Sequence, residues 1–226
     1  ITNTDEFKKG LFTIQDESSM LVSQIMDPGK NNIVVDICSA PGGKTTHIAQ
    51  YMENQGKIIA RDIYDHKLKL IKENSNRLGI DIINTELFDA LKLDEKLLSK
   101  SDYVLVDAPC SGLGLIRRRP EIKWNRKEDD IEKIKEMQYI ILRNASKYLK
   151  PGGILIYSTC TIEREENINM IRNFITENNE FQLVGFDHLL ESKKNIETAE
   201  KGYIELFPHI HGTDGFFIAK LLKKDK

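Results

Sequence analysis

The chain has 226 residues, a 40% hydrophobic fraction and a formal net charge of −2, which allows one large domain with a sizeable core. No run of about 18 apolar residues occurs, which argues against a membrane span, and no signal segment opens the chain. The charge gives no global support for nucleic-acid binding. Three widely spaced cysteines argue against a disulfide framework or a zinc site and predict a reducing, cytoplasmic setting.

Predicted helices and strands alternate along the chain. A β-branched run at 33–37 is typical of a strand buried on both faces, and Gly79 ends a helix as a C-cap. In the first half we predict a short strand at 10–14, a helix from 16 or 18 to 26, strands at 33–37, 57–62 and 80–85, and helices at 43–52 and 65–78.

The second half continues the alternation. There we predict strands at 103–107, 154–158, 181–186 and 215–222, helices at 129–149 and 163–177, and a polar connection at 187–203. Strands alternating with helices, followed by a last pair of strands, predict an α/β sheet with helices on both faces.

The stretch 34–46 predicts a strand, a tight loop of small residues and the start of a helix, the arrangement that builds a ligand site at the end of a parallel strand. It also resembles a P-loop, which would indicate a nucleotide hydrolase. Against that interpretation, Cys38 replaces the first glycine of the motif, and Pro41 lacks one of the N–H groups that would cradle phosphates.

Polar residues follow several predicted strands, and the carboxyl ends of such strands line the ligand crevice. Asp62, about 20 residues after the loop, can accept hydrogen bonds from both hydroxyls of a ribose, or else it caps a helix. Asp89 can bind an adenine amino group, or else it is a turn acid. Lys44 and Asp107 are expected at the same edge of the sheet.

The cysteines suggest the chemistry. Cys38 fits a small buried residue, whereas Cys110 and Cys160 each follow a strand end among polar residues. Cys160 also precedes a predicted helix, whose N-terminus would lower its pKa. A thiolate that adds to carbon 6 of a pyrimidine makes carbon 5 able to attack an electrophilic methyl group, and an Asp near ring nitrogen 3 can stabilise the developing charge. Position alone does not choose between the two thiols.

Four stretches resemble the RsmB/Sun/NSUN-type RNA cytosine-5 methyltransferases, and look most like the bacterial small-subunit rRNA branch. They are 36–45 (DICSAPGGKT), 107–112 (DAPCSG), 158–161 (STCT) and 211–217 (HGTDGFF). The stretches 14–19 (IQDESS) and 116–124 (IRRRPEIKW) also look like this family, and the resemblance runs from about residue 7 to residue 222.

The resemblance implies a class I S-adenosylmethionine-dependent methyltransferase: a Rossmann-like, seven-stranded sheet with its last strand antiparallel. In this family pattern Cys160 is the nucleophile, Cys110 assists product release, and Asp107 lies beside both the cofactor and the cytosine. We add Lys44 to the catalytic group; the alternative is a helix-surface lysine. The cofactor-binding residues are then Cys38, Ser39, Ala40, Pro41, Gly42, Gly43, Lys44, Asp62, Asp89 and Asp107.

A local basic segment is the best candidate for RNA contact, through phosphate binding and base stacking. Its residues are Arg117, Arg118, Arg119, Lys123 and Trp124. The alternative is a solvated loop with one core aromatic. His211 and Asp214 could be structural as readily as functional.

We therefore expect methylation of carbon 5 of cytosine in RNA, most specifically 16S rRNA, through a covalent Cys–C6 adduct and without a metal. We also expect a lead-in at 1–30 whose helix packs on a catalytic domain at 31–226, a monomer, and a separate N-terminal RNA-binding domain preceding Ile1. A non-catalytic RNA-binding protein that retains the fold is the other hypothesis, and the presence of both Cys110 and Cys160 counts against it.

Overall fold

An eight-stranded mixed sheet organises residues 1–191 and 196–225, which the computed structural model describes. Its strands are β1 (Ile33–Asp36), β2 (Lys57–Asp62), β3 (Ile83–Leu87), β4 (Ser101–Asp107), β5 (Leu149–Thr159), β6 (Phe181–Leu183), β7 (Tyr203–Leu206) and β8 (Phe216–Lys223). The order is β3-β2-β1-β4-β5-β8-β6, with β7 paired to β8. β1 to β5 pair in parallel and β8 is antiparallel to β5, so the expected antiparallel last strand is confirmed.

The sheet has one strand more than the seven expected. β7 pairs with residues 216–219 of β8, and β6 pairs with residues 221–223, so two short strands share one edge of β8. The predicted connection at 187–203 instead contains two 3₁₀ turns, Asp187–Leu189 and Glu197–Lys201, and reaches the first residue of β7. Residues 192–195 of that connection lie outside the described part of the chain.

Helices lie on both faces of the sheet. They are α1 (Asp5–Lys8), α2 (Glu17–Met26), α3 (Gly43–Tyr51), α4 (Asp65–Arg77), α5 (Ile122–Asn125), α6 (Glu128–Ser146), α7 (Ile168–Glu177) and α8 (Pro208–His211). The one-turn helices α1, α5 and α8 were not predicted. Residues 10–14 form no strand, β3 begins three residues later than predicted, and α7 begins at Ile168 rather than 163.

Two apolar layers cover the sheet. Alternate residues of β1 enter opposite layers: Val34 packs with α2 and α3, whereas Val35 packs with α6 and α7. This explains the continuous β-branched run, since a strand covered on both faces has no polar side. None of the helices in the described ranges is long and apolar enough to cross a membrane.

The lead-in helix α2 is part of one of these layers. Asp16, one of the two caps that the sequence allows, accepts a hydrogen bond from the backbone N of Ser18 at 3.1 Å. Val22, Ile25 and Met26 are fully buried in the layer that contains α3. Fully burying such side chains contributes about 1.5–3 kcal/mol each, so α2 is anchored to the sheet rather than loosely attached.

Candidate active site

The loop between β1 and α3 is held closely to the neighbouring strand. The backbone N and the Oγ of Ser39 both donate to the carbonyl oxygen of Arg61 in β2, each at 2.9 Å. Gly42 has a φ of 101°, and a Cβ there would lie 3.2 Å from the backbone of Ile71 in α4. Small residues are therefore required where the loop turns into α3, because both the conformation and the space favour glycine.

A buried carboxyl group begins this loop. Asp36 is 1% exposed, and its Oδ2 accepts a hydrogen bond from Oγ1 of Thr45 at 2.7 Å. Its Oδ1 accepts no hydrogen bond from any residue in the described ranges. Burial is the main cause that raises the pKa of Asp36 to about 7, and the negative charges of Asp107 and Asp62 act in the same direction.

Two cavities meet at this loop, because Cys38 lines both. The first has a volume of about 200 Å³ and lies between the lead-in and the loop. The second, of about 350 Å³, is more apolar and lies beyond the ends of β2 and β3. The first is lined by Ile14, Gln15, Ser19, Asp36, Cys38, Ser39, Ala40, Pro41, Gly43, Lys44 and Asp107, the second by Ile37, Cys38, Asp62, Ile63, Tyr64, Lys67, Phe88, Asp89, Ala90, Leu91, Pro109, Met137 and Ile141.

The lining fits a ligand with a charged end and a nucleoside end. Asp62 accepts a hydrogen bond from the backbone N of Tyr64 on Oδ1, whereas no described residue is seen donating to its Oδ2. Asp89 accepts from the backbone N of Leu91. Asp89 thus makes the turn contact that was its structural alternative, whereas Asp62 is not the cap of α4, whose N-cap residue is Tyr64. Both acids also line the second cavity. Their contact with ribose and adenine stays a prediction.

The two thiols predicted to lie at neighbouring strand ends are in contact. The Sγ atoms of Cys110 and Cys160 are 3.2 Å apart. The hydrogen bond from the Cys110 thiol lowers the pKa of Cys160, and the charge of Lys44 acts in the same direction, against burial and Asp107. The same hydrogen bond, together with burial, raises the pKa of Cys110. Cys160 is therefore the more acidic thiol. The helix that was predicted to follow it directly begins only at Ile168, and an effect of its N-terminus on Cys160 stays a prediction.

Lys44 and Asp107 form a partly buried ion pair beside the thiols. Nζ of Lys44 lies 2.7 Å from Oδ2 of Asp107, and the Lys44 side chain is 15% exposed, so the helix-surface alternative is wrong. Burial alone would lower the pKa of Lys44, but Asp107 outweighs it and raises that pKa. Oδ1 of Asp107 accepts from Oγ of Ser158 at 2.7 Å. The ammonium group thus stays charged near Cys160.

The sequence assigned no role to Ser158. Asp107 and Ser158 are register partners in the parallel β4–β5 pair, and this pairing brings their side chains together. Matching the two strands by their carboxyl ends would have found the contact, because both strands end in a motif that carries a cysteine.

The backbone at Gly114 passes close to the backbone at Cys160 and Gly215, and this contact fixes the Cys160 loop. The backbone N of Gly114 donates to the carbonyl oxygen of Cys160 at 3.1 Å, and the N of Gly215 donates to the carbonyl of Gly114 at 2.9 Å. A Cβ on Gly114 would lie 2.0 Å from the Gly215 oxygen and 2.8 Å from the Cys160 oxygen. Only glycine fits at this position, which was not predicted from the sequence.

The basic segment divides into two parts. Arg117 and Arg118 contact the buried Asp214 at 3.5 and 3.0 Å, and Arg118 also pairs with Asp16 of the lead-in. Arg118 therefore links the lead-in to Asp214, and Asp214 makes structural contacts with the basic segment. Trp124, in contrast, is 80% exposed, which excludes the core-aromatic alternative.

Arg119 and Lys123 are also exposed and make no ion pair with a described residue. RNA contact by all five predicted residues stays a prediction.

His211 contacts the backbone of Phe207. Its Nδ1 lies 2.9 Å from the Phe207 N, and this contact stabilises the turn before β8. In the described ranges no group of three or more His, Cys, Asp or Glu residues could hold a metal ion.

This sheet order, the small-residue loop after β1 and the acid after β2 define the class I S-adenosylmethionine-dependent methyltransferases, whose cofactor is S-adenosylmethionine. A family model described as 16S rRNA methyltransferase RsmB/F matches residues 23–222. The chain belongs to this RsmB/F family, which removes the P-loop alternative and confirms the resemblance seen in the motifs.

Relatives in this family include enzymes that are named for different RNAs. The chain is 45% identical to the probable ribosomal RNA small subunit methyltransferase B of Bacillus subtilis (strain 168), over 99% of this chain and 50% of that protein. It is 37% identical to the tRNA (cytosine(72)-C(5))-methyltransferase of Pyrococcus horikoshii, over 96% of this chain and 54% of that protein.

Solved structures give the same assignment. The crystal structure of NSun6 from Pyrococcus horikoshii with SFG matches with a TM-score of 0.86 at 35% identity, over 100% of this chain and 56% of that chain. The chain spans about half the length of the curated relatives it matches.

Proposed function

We propose that the protein transfers the methyl group of S-adenosylmethionine to carbon 5 of cytosine in RNA, with 16S rRNA as the substrate. The observation that carries this proposal is the thiol pair: Cys110 and Cys160 lie 3.2 Å apart with pKa values shifted in opposite directions. The names of the relatives support an RNA substrate, and the 45% identity to a small-subunit rRNA enzyme favours rRNA over tRNA.

The cofactor supplies an electrophilic methyl group. In the proposed reaction the Cys160 thiolate adds to carbon 6 of cytosine, which forms a carbon–sulfur bond and makes carbon 5 nucleophilic. Asp107, held by Lys44 and Ser158, binds the base near ring nitrogen 3 and stabilises the charge that develops there. Carbon 5 then forms a bond to the methyl carbon while the methyl–sulfur bond of the donor breaks, so that the donor sulfur keeps the electron pair and leaves as a neutral thioether.

Product release restores the pyrimidine double bond. A base removes the proton on carbon 5, the electrons of that C–H bond form the C5–C6 double bond, and the electrons of the C6–sulfur bond return to Cys160. Cys110 assists this step, which suits a thiol that touches the nucleophile and holds its own proton more firmly. The target cytosine must be unpaired or flipped out of a helix to reach Cys160.

RNA contact is assigned to the exposed end of the basic segment. Trp124 offers an exposed ring for stacking, and Arg119 and Lys123 beside it offer charges for phosphates. Arg117 and Arg118 contribute by holding this segment against the lead-in and Asp214. The proposal also includes a cytoplasmic location and a monomeric catalytic unit, and a lead-in that ends near residue 30.

Labelled cofactor and 16S rRNA that lacks the modification test the reaction in the whole protein. Wild type should transfer label to carbon 5 of a cytosine, located by bisulfite sequencing. Cys160→Ala should abolish transfer, whereas Cys110→Ala should accumulate a covalent protein–RNA adduct on a denaturing gel. A parallel reaction without cofactor is the control for adduct formed before methyl transfer.

Other outcomes would point elsewhere. Cofactor and RNA binding without transfer would favour a non-catalytic RNA-binding protein. Label in tRNA but not in rRNA would change the substrate. An adduct trapped by Cys160→Ala would reverse the roles of the two thiols.

A further inference from the structure

A buried glutamate lies next to the Cys110 loop and is not used in the proposed reaction. Glu166 is 0% exposed, and its Oε2 accepts hydrogen bonds from the backbone N of Ser111 and from Nε2 of Gln138, both at 2.9 Å. The same Gln138 nitrogen donates to the carbonyl oxygen of Pro109 at 2.9 Å. The residues on both sides of Cys110 are therefore fixed by this Glu–Gln pair.

Asn167, which follows Glu166, fixes the residues on both sides of Cys160. Oδ1 of Asn167 accepts from Oγ1 of Thr159 at 2.5 Å, and its Nδ2 donates to the carbonyl oxygen of Thr161 at 3.0 Å. Thr159 and Thr161 are the residues on both sides of Cys160. Two consecutive residues just before α7 thus hold the two cysteine loops, Asn167 directly and Glu166 together with Gln138.

A direct bond joins the two loops. The Oγ of Ser111 and Oγ1 of Thr161, the residues that follow the two cysteines, are 2.8 Å apart, and both side chains are fully buried. Together with Glu166 and Asn167 they form a closed set of contacts behind the thiols. Such a network limits how far the two sulfur atoms can move relative to each other.

The network includes buried oxygen atoms that accept no hydrogen bond within the described part of the chain, which is unfavourable for the stability of the fold. Oε1 of Glu166 and Oε1 of Gln138 are buried and accept no hydrogen bond from the described residues. A buried carboxylate with an unsatisfied oxygen is unfavourable, and apolar residues of similar size are often as stable or more stable at such positions. A role in setting the thiols would account for retaining the charge.

We propose that Glu166 and Asn167 are positioning residues that hold Cys110 and Cys160 in contact. Asn167 fixes the residues on both sides of Cys160 directly, and Glu166 fixes Ser111 directly and Pro109 through Gln138. This rests on the proposed function of the two thiols. The Glu166 charge adds a second effect. After the hydrogen bond to Cys160 and burial, it is a further cause that raises the pKa of Cys110, which leaves Cys160 as the thiol that ionises first.

Thiol reactivity tests the positioning without using RNA. The pH dependence of iodoacetamide alkylation is measured at each cysteine by peptide mass spectrometry in the whole protein. Wild type should alkylate Cys160 at a lower pH than Cys110. In Glu166→Gln the pH of half-maximal alkylation of Cys110 should fall by about one pH unit, because the neighbouring negative charge is gone.

Methyl transfer tests the geometry. Asn167→Ala should slow single-turnover transfer to rRNA by about tenfold or more, because small displacements of a nucleophile are costly, while the dissociation constant of S-adenosylmethionine changes by less than about twofold. Glu165→Gln and Asn169→Ala are the matched controls, since these neighbours pair with each other at 2.7 Å on the outer side of α7. Both controls should behave as wild type.

The outcomes separate this inference from the proposed function. Wild type without methyl transfer would overturn the proposed function, and the alkylation profiles would still test the positioning. Active wild type with Glu166→Gln and Asn167→Ala both equal to their controls would overturn the inference. If a variant loses cofactor binding through misfolding, Ser111→Ala removes the bridge to Thr161 and leaves the backbone contacts of Ser111 in place, and unchanged alkylation and transfer in that variant would equally overturn it.

Discussion

Replacing Asp36 with Asn should make the protein more stable at neutral pH. The Asp36 carboxyl group is completely buried, one oxygen has no partner among the described residues, and its pKa is raised from 3.8 to about 7. Asn has nearly the same shape and can still accept the hydrogen bond from Thr45, but it cannot ionise. The substitution therefore isolates the effect of the charge.

The size of the effect follows from the two pKa values of Asp36. Between pH 3.8 and about 7 the folded state holds a proton that the unfolded state has lost, so the free energy of unfolding falls as the pH rises. This interval of about three pH units corresponds to a loss of at most about 4 kcal/mol, which is complete above about pH 7. The Asp36→Asn variant has no such loss, because an amide does not titrate in this range.

Urea unfolding of both proteins at intervals from pH 4 to pH 8.5, without cofactor, measures the difference. The Asp36 charge also raises the pKa values of Cys38 and Lys44, but both groups titrate above this pH range, so the variant's advantage should increase through the interval and then stay constant. Asp81→Asn, at an exposed carboxyl group, controls for the chemistry of the substitution. A difference between Asp36→Asn and wild type that does not change with pH would refute the reasoning.

Three other substitutions test separate parts of the site. Asp62→Asn should weaken S-adenosylmethionine binding by about tenfold in calorimetry, because an amide replaces a charged acceptor; wild-type affinity would contradict ribose contact. Gly114→Ala should lower the free energy of unfolding by about 1–3 kcal/mol, since its Cβ would lie 2.0 Å from the Gly215 oxygen; an unchanged urea midpoint would show that this backbone contact relaxes. Trp124→Ala should weaken RNA binding by about 1–3 kcal/mol in fluorescence anisotropy at unchanged cofactor affinity, and equal RNA affinity would exclude stacking.

The central strands could be predicted because their local pattern and their environment agree. β1, β2 and β4 are apolar runs that end in an acid, and the observed bounds of β2 match the prediction. The edge strands depended on contacts that the pattern does not contain. Ile80 was assigned to β3, but its backbone N bonds to Ser75 at the end of α4 and its side chain packs in the core.

β7 is a second edge strand that the local sequence pattern does not predict. Its four residues have no strand signal beyond a short alternation of buried and half-buried positions. They form a strand because the edge of β8 beyond residue 220 is taken by β6 while residues 216–219 remain open. Residues 10–14 have a comparable composition but no strand edge beside them, and they form none.

Within the site, the sequence predicted where functional residues lie better than it predicted which side chains contact each other. The loop residues, Lys44 and both thiols were placed at one edge of the sheet, which follows from the direction of parallel strands alone. The partners of Arg118 were not predicted. Asp16 and Asp214 come from opposite ends of the chain, and only the packing of the lead-in against the last turn brings them to this arginine.

For the two thiols, the sequence predicts their positions but not their relative acidities. Cys110 and Cys160 follow neighbouring parallel strands, so contact between them is almost a consequence of the topology. Their acidities are not. The hydrogen bond between the thiols is the largest cause of both pKa shifts, and charges from other elements add to it: Lys44 from α3 favours the Cys160 thiolate, and Glu166 before α7 disfavours the Cys110 thiolate. Removing either charge should bring the two pKa values closer together without touching a cysteine. In the proposed reaction, the division between nucleophile and helper would therefore follow from the thiol–thiol hydrogen bond, burial and the surrounding charges together, and not from the Thr-Cys and Pro-Cys motifs alone.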